Sequence, residues 1–72
     1  MNKLSNEQVQ KILAGNQTFS QLGFSMLMTR LRGVYSRDKS EDSLIKCAGE
    51  INSFVSKYGA IMEEDFKIME NS

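Results

Sequence analysis

Histidine, proline and tryptophan are absent from this chain of 72 residues, and cysteine occurs once. Without histidine, the acid–base group most often used near neutral pH is missing, and so is a common ligand of zinc and other transition metals. The single cysteine, Cys47, excludes a disulfide within the chain. We therefore expect no catalytic residues, no metal and no cofactor, and the sequence predicts a protein that is not an enzyme.

Long apolar runs are also missing. No stretch approaches the ~20 apolar residues that a membrane-spanning helix needs. Polar residues follow Lys3, where a signal peptide would require an apolar segment. These features predict a cytoplasmic protein without a membrane partner, in which Cys47 stays reduced.

The length of the chain sets its domain organisation and the demands on its core. Seventy-two residues allow one small domain, 1–72. Domains of this size bury only about 60% of the surface that unfolding exposes, and many gain stability from disulfides, metals or a partner subunit. Because proline is absent and β-branched runs are few, the composition favours helices over strands. We expect an all-α fold stabilised by helix packing or self-association.

Charge is balanced overall but unevenly distributed. The net charge is zero, which does not favour nonspecific binding to nucleic acid. Residues 1–39 carry six basic and two acidic side chains, a balance of +4, and residues 40–72 carry three basic and seven acidic ones, a balance of −4. The chain is therefore a weak electrical dipole by sequence.

An apolar stripe with heptad spacing predicts one long helix over 40–70. Ser40 is a suitable N-cap, and Gly59 marks a possible break after Tyr58 as the alternative. The stripe continues in phase across this glycine, which favours continuity. Its members step by four and three residues, with one polar residue among them: Leu44, Ala48, Ile51, Val55, Tyr58, Met62, Asp65 and Met69.

Two shorter helices precede the long one. Ser5 and Gln8 have capping-box spacing, and Gly15 can end a first helix over 5–14. Thr18 can cap a second helix over 18–36. The apolar residues of this second helix cover more than one face, which indicates burial on more than one side. One stripe contains Phe24, Leu27, Leu31 and Val34, and a second contains Phe19, Leu22 and Met26.

The helix lengths predict how these elements pack. At 1.5 Å per residue, the long helix exceeds the second by roughly 18 Å, a length that the first helix can cover by folding back. The result is a helical hairpin with a short N-terminal helix. Its second stripe stays uncovered, so we expect a homodimer resembling a four-helix bundle. The expected interface residues are Phe19, Leu22, Phe24, Met26, Leu27, Leu31, Tyr58 and Met62.

Basic residues cluster near the end of the second helix. They are Arg30, Arg32, Arg37 and Lys39. In one interpretation they complement the helix C-terminus and remain in water. In the other they contact an acidic partner, a small anion or a phosphate backbone.

A local motif in the same region resembles a helix-turn-helix DNA reader. Phe19-Ser-Gln-Leu-Gly-Phe-Ser25 is similar to its turn, and Thr29-Arg-Leu-Arg-Gly33 is similar to the end of its recognition helix. The resemblance spans about fifteen residues and implies DNA binding. It departs from the pattern at 26–28, where base-reading positions should be polar and the residues are Met, Leu and Met.

Two further features have a structural and a chemical interpretation. Glu63 and Glu64 belong to an acidic cluster that fans out around a helix, as a solvated face does. Asp65 occupies a stripe position, where it either reaches solvent or pairs with a basic residue of a partner. Cys47 lies on the apolar flank of the long helix, which favours a small buried side chain over a reactive thiol.

These observations favour a small, non-enzymatic helical interaction protein that acts through self-association and partner binding, as adaptors, inhibitors and accessory proteins do. Five methionines suit an adaptable contact surface. One alternative is a small DNA-binding regulator that uses the basic cluster around 30–39. The other is an oligomer that sequesters a small anionic ligand near the same arginines.

Overall fold

A computed structural model describes residues 3–71 of the chain, so residues 1, 2 and 72 of the expected domain lie outside the described range. The all-α prediction is confirmed, because every regular element within 3–71 is helical. The α-helices are α1 (Asn6–Ala14), α2 (Leu22–Arg37), α3 (Glu41–Tyr58) and α4 (Glu63–Glu70). A 3-10 turn, Gly59–Ile61, connects α3 to α4.

Helix α1 is bounded as its sequence predicts. The hydroxyl of Ser5 accepts a hydrogen bond from the backbone N–H of Gln8 at 3.1 Å, and the Gln8 side chain accepts one from the Ser5 N–H at 2.9 Å. Both donors would otherwise lack a partner at a helix start. At the other end, Gly15 is the C-cap and donates to the carbonyl of Lys11. These local signals are sufficient to place the helix.

Helix α2 begins later than expected and buries a different face. Its N-cap is Gln21, whose side-chain oxygen accepts from the N–H of Phe24 at 2.7 Å, so the predicted start at Thr18 is wrong. The buried stripe is Phe24, Met28, Leu31 and Tyr35. Leu27 and Val34, expected on this stripe, lie at its edge or in solvent. The buried face of α2 is rotated from the expected one because the helix packs against α1 as well as α3.

Ser40 caps α3, as predicted, by accepting a hydrogen bond from the N–H of Ser43 at 3.2 Å. The continuous helix over 40–70 is wrong. Helix α3 ends at Tyr58, and the N–H of Met62 donates to the carbonyl of Gly59 at 3.1 Å in a tighter turn. The alternative break after Tyr58 is therefore the observed one, with a 3-10 turn between α3 and α4.

The first helix does fold back, but it packs mainly against α2 and α3 and not beside the C-terminal part of the expected long helix, which forms α4. The segment before α1 is held by Asn52 of α3, which accepts from the N–H of Leu4 at 2.7 Å and donates to its carbonyl at 3.0 Å. The packed interior contains Val9, Ile12, Leu13, Phe19, Phe24, Met28, Leu31, Tyr35, Cys47, Ala48, Ile51, Val55 and Met62.

Asp65 is buried rather than solvated or reserved for a partner, with 1% of its surface exposed. Its carboxylate accepts hydrogen bonds from the backbone N–H groups of Ser20 and Gln21, the latter at 3.0 Å. Both earlier interpretations of this residue are thereby corrected. The contact joins α4 to the segment that leads into α2, and it thereby helps to set which face of α2 is exposed.

Replacing Asp65 with alanine is expected to lower the free energy of unfolding by about 2–3 kcal/mol, because two backbone donors lose a charged acceptor. Urea unfolding followed by circular dichroism measures this change. Glu64→Ala is the matched control, since Glu64 is exposed and only pairs with Lys67 at 3.6 Å; its effect should stay below about 0.5 kcal/mol. Equal effects of the two variants would contradict the structural role of Asp65.

Candidate protein-interaction surface

The side chains expected at an interface fall into two groups. Phe19, Phe24, Leu31 and Met62 are buried in the chain's own core and present no surface to a partner. The expectation of an intersubunit role for these four is corrected, because α1 and the residues after α3 cover them within the chain. The other four reach the surface, with Leu27 half-buried and the rest exposed: Leu22, Met26, Leu27 and Tyr58.

Within residues 3–71, Leu22 and Met26 are the most exposed large apolar side chains, at 72% and 65%, followed by Ile61 at 62%. They lie four residues apart, so they share one face of α2, about one turn from each other. This face points away from the buried stripe that contains Phe24 and Met28. Within 3–71, no other element covers this pair.

A groove of about 580 Å³ lies between α2 and α3, beside this exposed face. Leu27 of α2 and the aromatic rings of Phe54 and Tyr58 on α3 form its apolar wall. The two ring centroids are 4.7 Å apart. A Cβ at Gly23 would lie 3.2 Å from the Phe54 ring, so this glycine allows the ring to lie against α2. The close contact fixes the wall of the groove.

Charged side chains on α3 line the same groove. Lys46, Glu50 and Lys57 lie along one face of this helix. Glu50 is already paired with Arg30 of α2, at 2.7 Å, and this ion pair raises the pKa of the arginine. The ammonium group of Lys57 lies 5.4 Å from the centre of the Tyr58 ring. The groove therefore has an apolar wall and an excess of positive charge.

Arg32 has a structural position rather than a solvent-facing one. Its guanidinium donates to the backbone carbonyls of Ile12 and Gln17, each at 3.1 Å, and to the Gln17 side chain. It also lies over the Phe19 ring, 5.8 Å from the centroid. Partial burial lowers the pKa of Arg32, although a guanidinium stays charged at neutral pH. This residue ties the end of α1 and the following loop to α2.

The remaining cluster residues do not converge with Arg32 on one surface. Arg30 is engaged by Glu50, and the Nε of Arg37 donates to the carbonyl of Gly33 on its own helix at 3.2 Å. Lys39 is exposed in the turn before α3. Arg30 and Arg37 share one side of α2, Arg32 lies on another side, and Lys39 lies beyond the helix. The geometry therefore does not favour a phosphate or anion site shared by all four cations.

The helix-turn-helix resemblance does not extend to the arrangement of the side chains. The segment compared with the turn is half loop and half helix, since α2 begins at Leu22. In the positions that would read bases, Met28 is fully buried and Leu27 is half-buried. Arg32, in the part compared with the recognition helix, contacts α1 instead of facing outward. The implied DNA-reading surface is therefore corrected at these positions.

Of the residues that α3 contributes to the groove, Tyr58 was predicted as an interface residue and the others were not. Lys46, Glu50, Ser53 and Lys57 recur at intervals of four, three and four residues, with Gly49 beside them, opposite the apolar stripe. That spacing marks one continuous helix face. It was detectable in the sequence, but which residues of α2 would lie beside it depends on the packing of the two helices.

Cys47 is buried, as its position in the apolar pattern predicts. Burial raises the pKa of its thiol, and the nearby Glu50 carboxylate raises it further. Within residues 3–71, no group of three or more histidine, cysteine or carboxylate side chains is arranged to hold a metal ion. In the same range, none of the helices has the length and apolarity required to cross a membrane.

Similarity to known proteins gives no indication of function, so the surface of the chain is the main guide to it. No protein-family model matches the chain, and neither the curated proteins nor the solved structures contain a significant match.

Arg32→Ala is expected to lower the free energy of unfolding by about 1.5–3 kcal/mol, because two carbonyls and a side-chain oxygen lose a charged donor. Thermal and urea unfolding measure the loss. Arg37→Ala, which removes an exposed arginine from the same helix, should change it by less than about 0.5 kcal/mol. If Arg32→Ala left the free energy of unfolding unchanged, the hydrogen bonds to Ile12 and Gln17 would not stabilise the fold.

The native thiol of Cys47 is expected to react at least ~100-fold more slowly with a disulfide reagent at pH 8 than the same thiol in urea, because burial blocks access and disfavours the thiolate. Absorbance of the released thiolate follows both rates. Similar rates in the two states would contradict the buried, protonated thiol.

Proposed function

We propose that this chain is a non-enzymatic interaction protein that self-associates through the exposed face of α2. The observation that carries the proposal is the exposure of Leu22 and Met26 on one side of a helix whose other side is fully packed. Exposed apolar side chains are ordinary when scattered, but adjoining ones beside an apolar groove are typical of contact sites.

A second copy is the partner that best fits this face. In a two-fold dimer the same patch meets itself, so Leu22 and Met26 of one copy pack against the same pair of the other. Two α2 helices then lie side by side with the two α3 helices outside them, as in a four-helix bundle. A standard interface of about 800 Å² per partner would cover roughly a sixth of the 4797 Å² surface.

Free energies indicate that such a dimer is weak. Complete burial of a leucine or methionine side chain contributes about 1.5–3 kcal/mol. About two-thirds of each side chain remains to be buried, so four of them supply roughly 4–8 kcal/mol. Lost translational and rotational freedom opposes association by about 4–15 kcal/mol. The dimer therefore needs surrounding contacts and forms at high concentration.

Sedimentation velocity and light scattering between ~10 µM and ~1 mM test the proposal, over a range suited to weak dimers. Wild-type protein should show a mass that rises with concentration towards twice 8.2 kDa. The double variant Leu22→Asp/Met26→Asp should remain monomeric while keeping its helical circular-dichroism spectrum, because four buried carboxylates would oppose association.

Ile45→Asp is the matched control, because Ile45 is also an exposed apolar residue, at 48%, but lies on α3. It should dimerise as the wild type does. A wild-type monomer across the whole range, or equal loss of dimer in both variants, would contradict self-association through α2.

A further inference from the structure

The groove between α2 and α3 has features that the α2 face does not need for self-association. Met26 and Leu27 are consecutive, so their side chains leave the helix about 100° apart. Met26 belongs to the exposed face, and Leu27 lines the groove. The two surfaces are adjacent but separate, and a ligand for the groove has to be considered on its own.

The groove is long enough for a helix of about three turns. Lys46 and Lys57 lie at either end of the part that α3 contributes, eleven residues apart, which is about 17 Å or three helical turns. Leu27, Phe54 and Tyr58 provide apolar contacts along one side. An amphipathic helix places apolar residues at intervals of three and four against such a wall.

The charges that line the groove favour one class of helical ligand over another. The only carboxylate on the groove face of α3, Glu50, is held by Arg30 at 2.7 Å. Within the described residues 3–71, neither Lys46 nor Lys57 forms an ion pair. A ligand with acidic residues near both ends would meet one ammonium group at each end, whereas a basic ligand would meet like charge.

We propose that this groove binds an acidic amphipathic helix of another protein, about three turns long. The inference rests on the proposed role as an interaction protein and specifies the chemistry of its partner. A second copy is the less suitable occupant. Its own acidic helix, α4, already packs Phe66 and Met69 against the core, so no apolar face of that helix is available.

Gly49 provides a variant that separates binding from folding. A Cβ at this position would meet no atom within 4 Å, so a larger side chain enters the groove without disturbing the core. Leucine also has a higher helix propensity than glycine. Gly49→Leu should therefore fill the groove and leave the fold at least as stable. Gly33→Leu is the matched control for the groove, because Gly33 lies outside it on α2 and has room for a Cβ. Since Gly33 shares the α2 face of Leu22 and Met26, both variants are compared at the lowest concentration of the sedimentation series, where self-association is least.

The test uses two synthetic amphipathic peptides of about 14 residues with the same apolar positions, one flanked by glutamate and one by lysine. Fluorescence anisotropy measures their affinities, and amide chemical shifts of labelled protein locate the contact. The acidic peptide should bind at least ~10-fold more tightly than the basic one. Its shifts should concentrate at Leu27, Gly49 and Phe54.

Variants should then change binding in three distinct ways. Gly49→Leu should lower the affinity for the acidic peptide by at least ~10-fold. Gly33→Leu should bind this peptide as tightly as the wild type does. Lys46→Glu/Lys57→Glu should reverse the preference between the two peptides, because both flanking charges change sign. Each variant's unfolding curve confirms that it remains folded.

Absence of binding, equal binding of both peptides, or shifts outside the groove would overturn the proposal. Groove shifts that grow with protein concentration alone would identify a second copy as the occupant and overturn it as well. Failure of self-association is a separate result: a monomeric protein that binds the acidic peptide supports the groove proposal while contradicting dimerisation through α2.

Discussion

The carboxylate of Asp65 is the constraint on which the rest of the arrangement depends. It accepts the backbone N–H groups of Ser20 and Gln21, about 45 residues earlier in the chain, and so fixes where α2 begins. The residue before them, Phe19, then enters the core, with its ring edge-on to Phe24 at 4.9 Å. Because this end of the core is closed from within, no partner is required to cover it.

Side-chain hydrogen bonds of this kind link segments that are distant in sequence, as disulfides do in other small domains. Non-helical segments leave backbone groups without helical partners, and such groups need acceptors or donors when they approach the interior. Here Asn52 holds the backbone of Leu4, and Arg32 holds the carbonyls of Ile12 and Gln17. Together with Asp65, these side chains hold the segment before α1 and the loop between α1 and α2 against the helices, so both segments become part of the packed unit.

Local signals in the sequence were sufficient for part of this fold and insufficient for the rest. Caps at Ser5 and Ser40 were predictable, because a cap depends on residues within one turn. The burial of Met28 in place of Leu27 was not, since both satisfy helical spacing and tertiary packing chooses between them. Asp65 had a visible signal, a carboxylate in an apolar stripe, but its partners are distant in sequence. The groove was missed for the same reason.

Gly49 connects the fold to the surface that the chain offers to other proteins. A glycine inside an exposed stretch of helix is less favourable than alanine by about 1 kcal/mol. Packing within the chain does not account for it, because a Cβ there would touch nothing within 4 Å. If the groove binds a helix as proposed, the missing side chain leaves room between Lys46 and Lys57 for that helix to approach the rings of Phe54 and Tyr58. The stability of α3 does not explain this glycine, whereas the proposed groove ligand would.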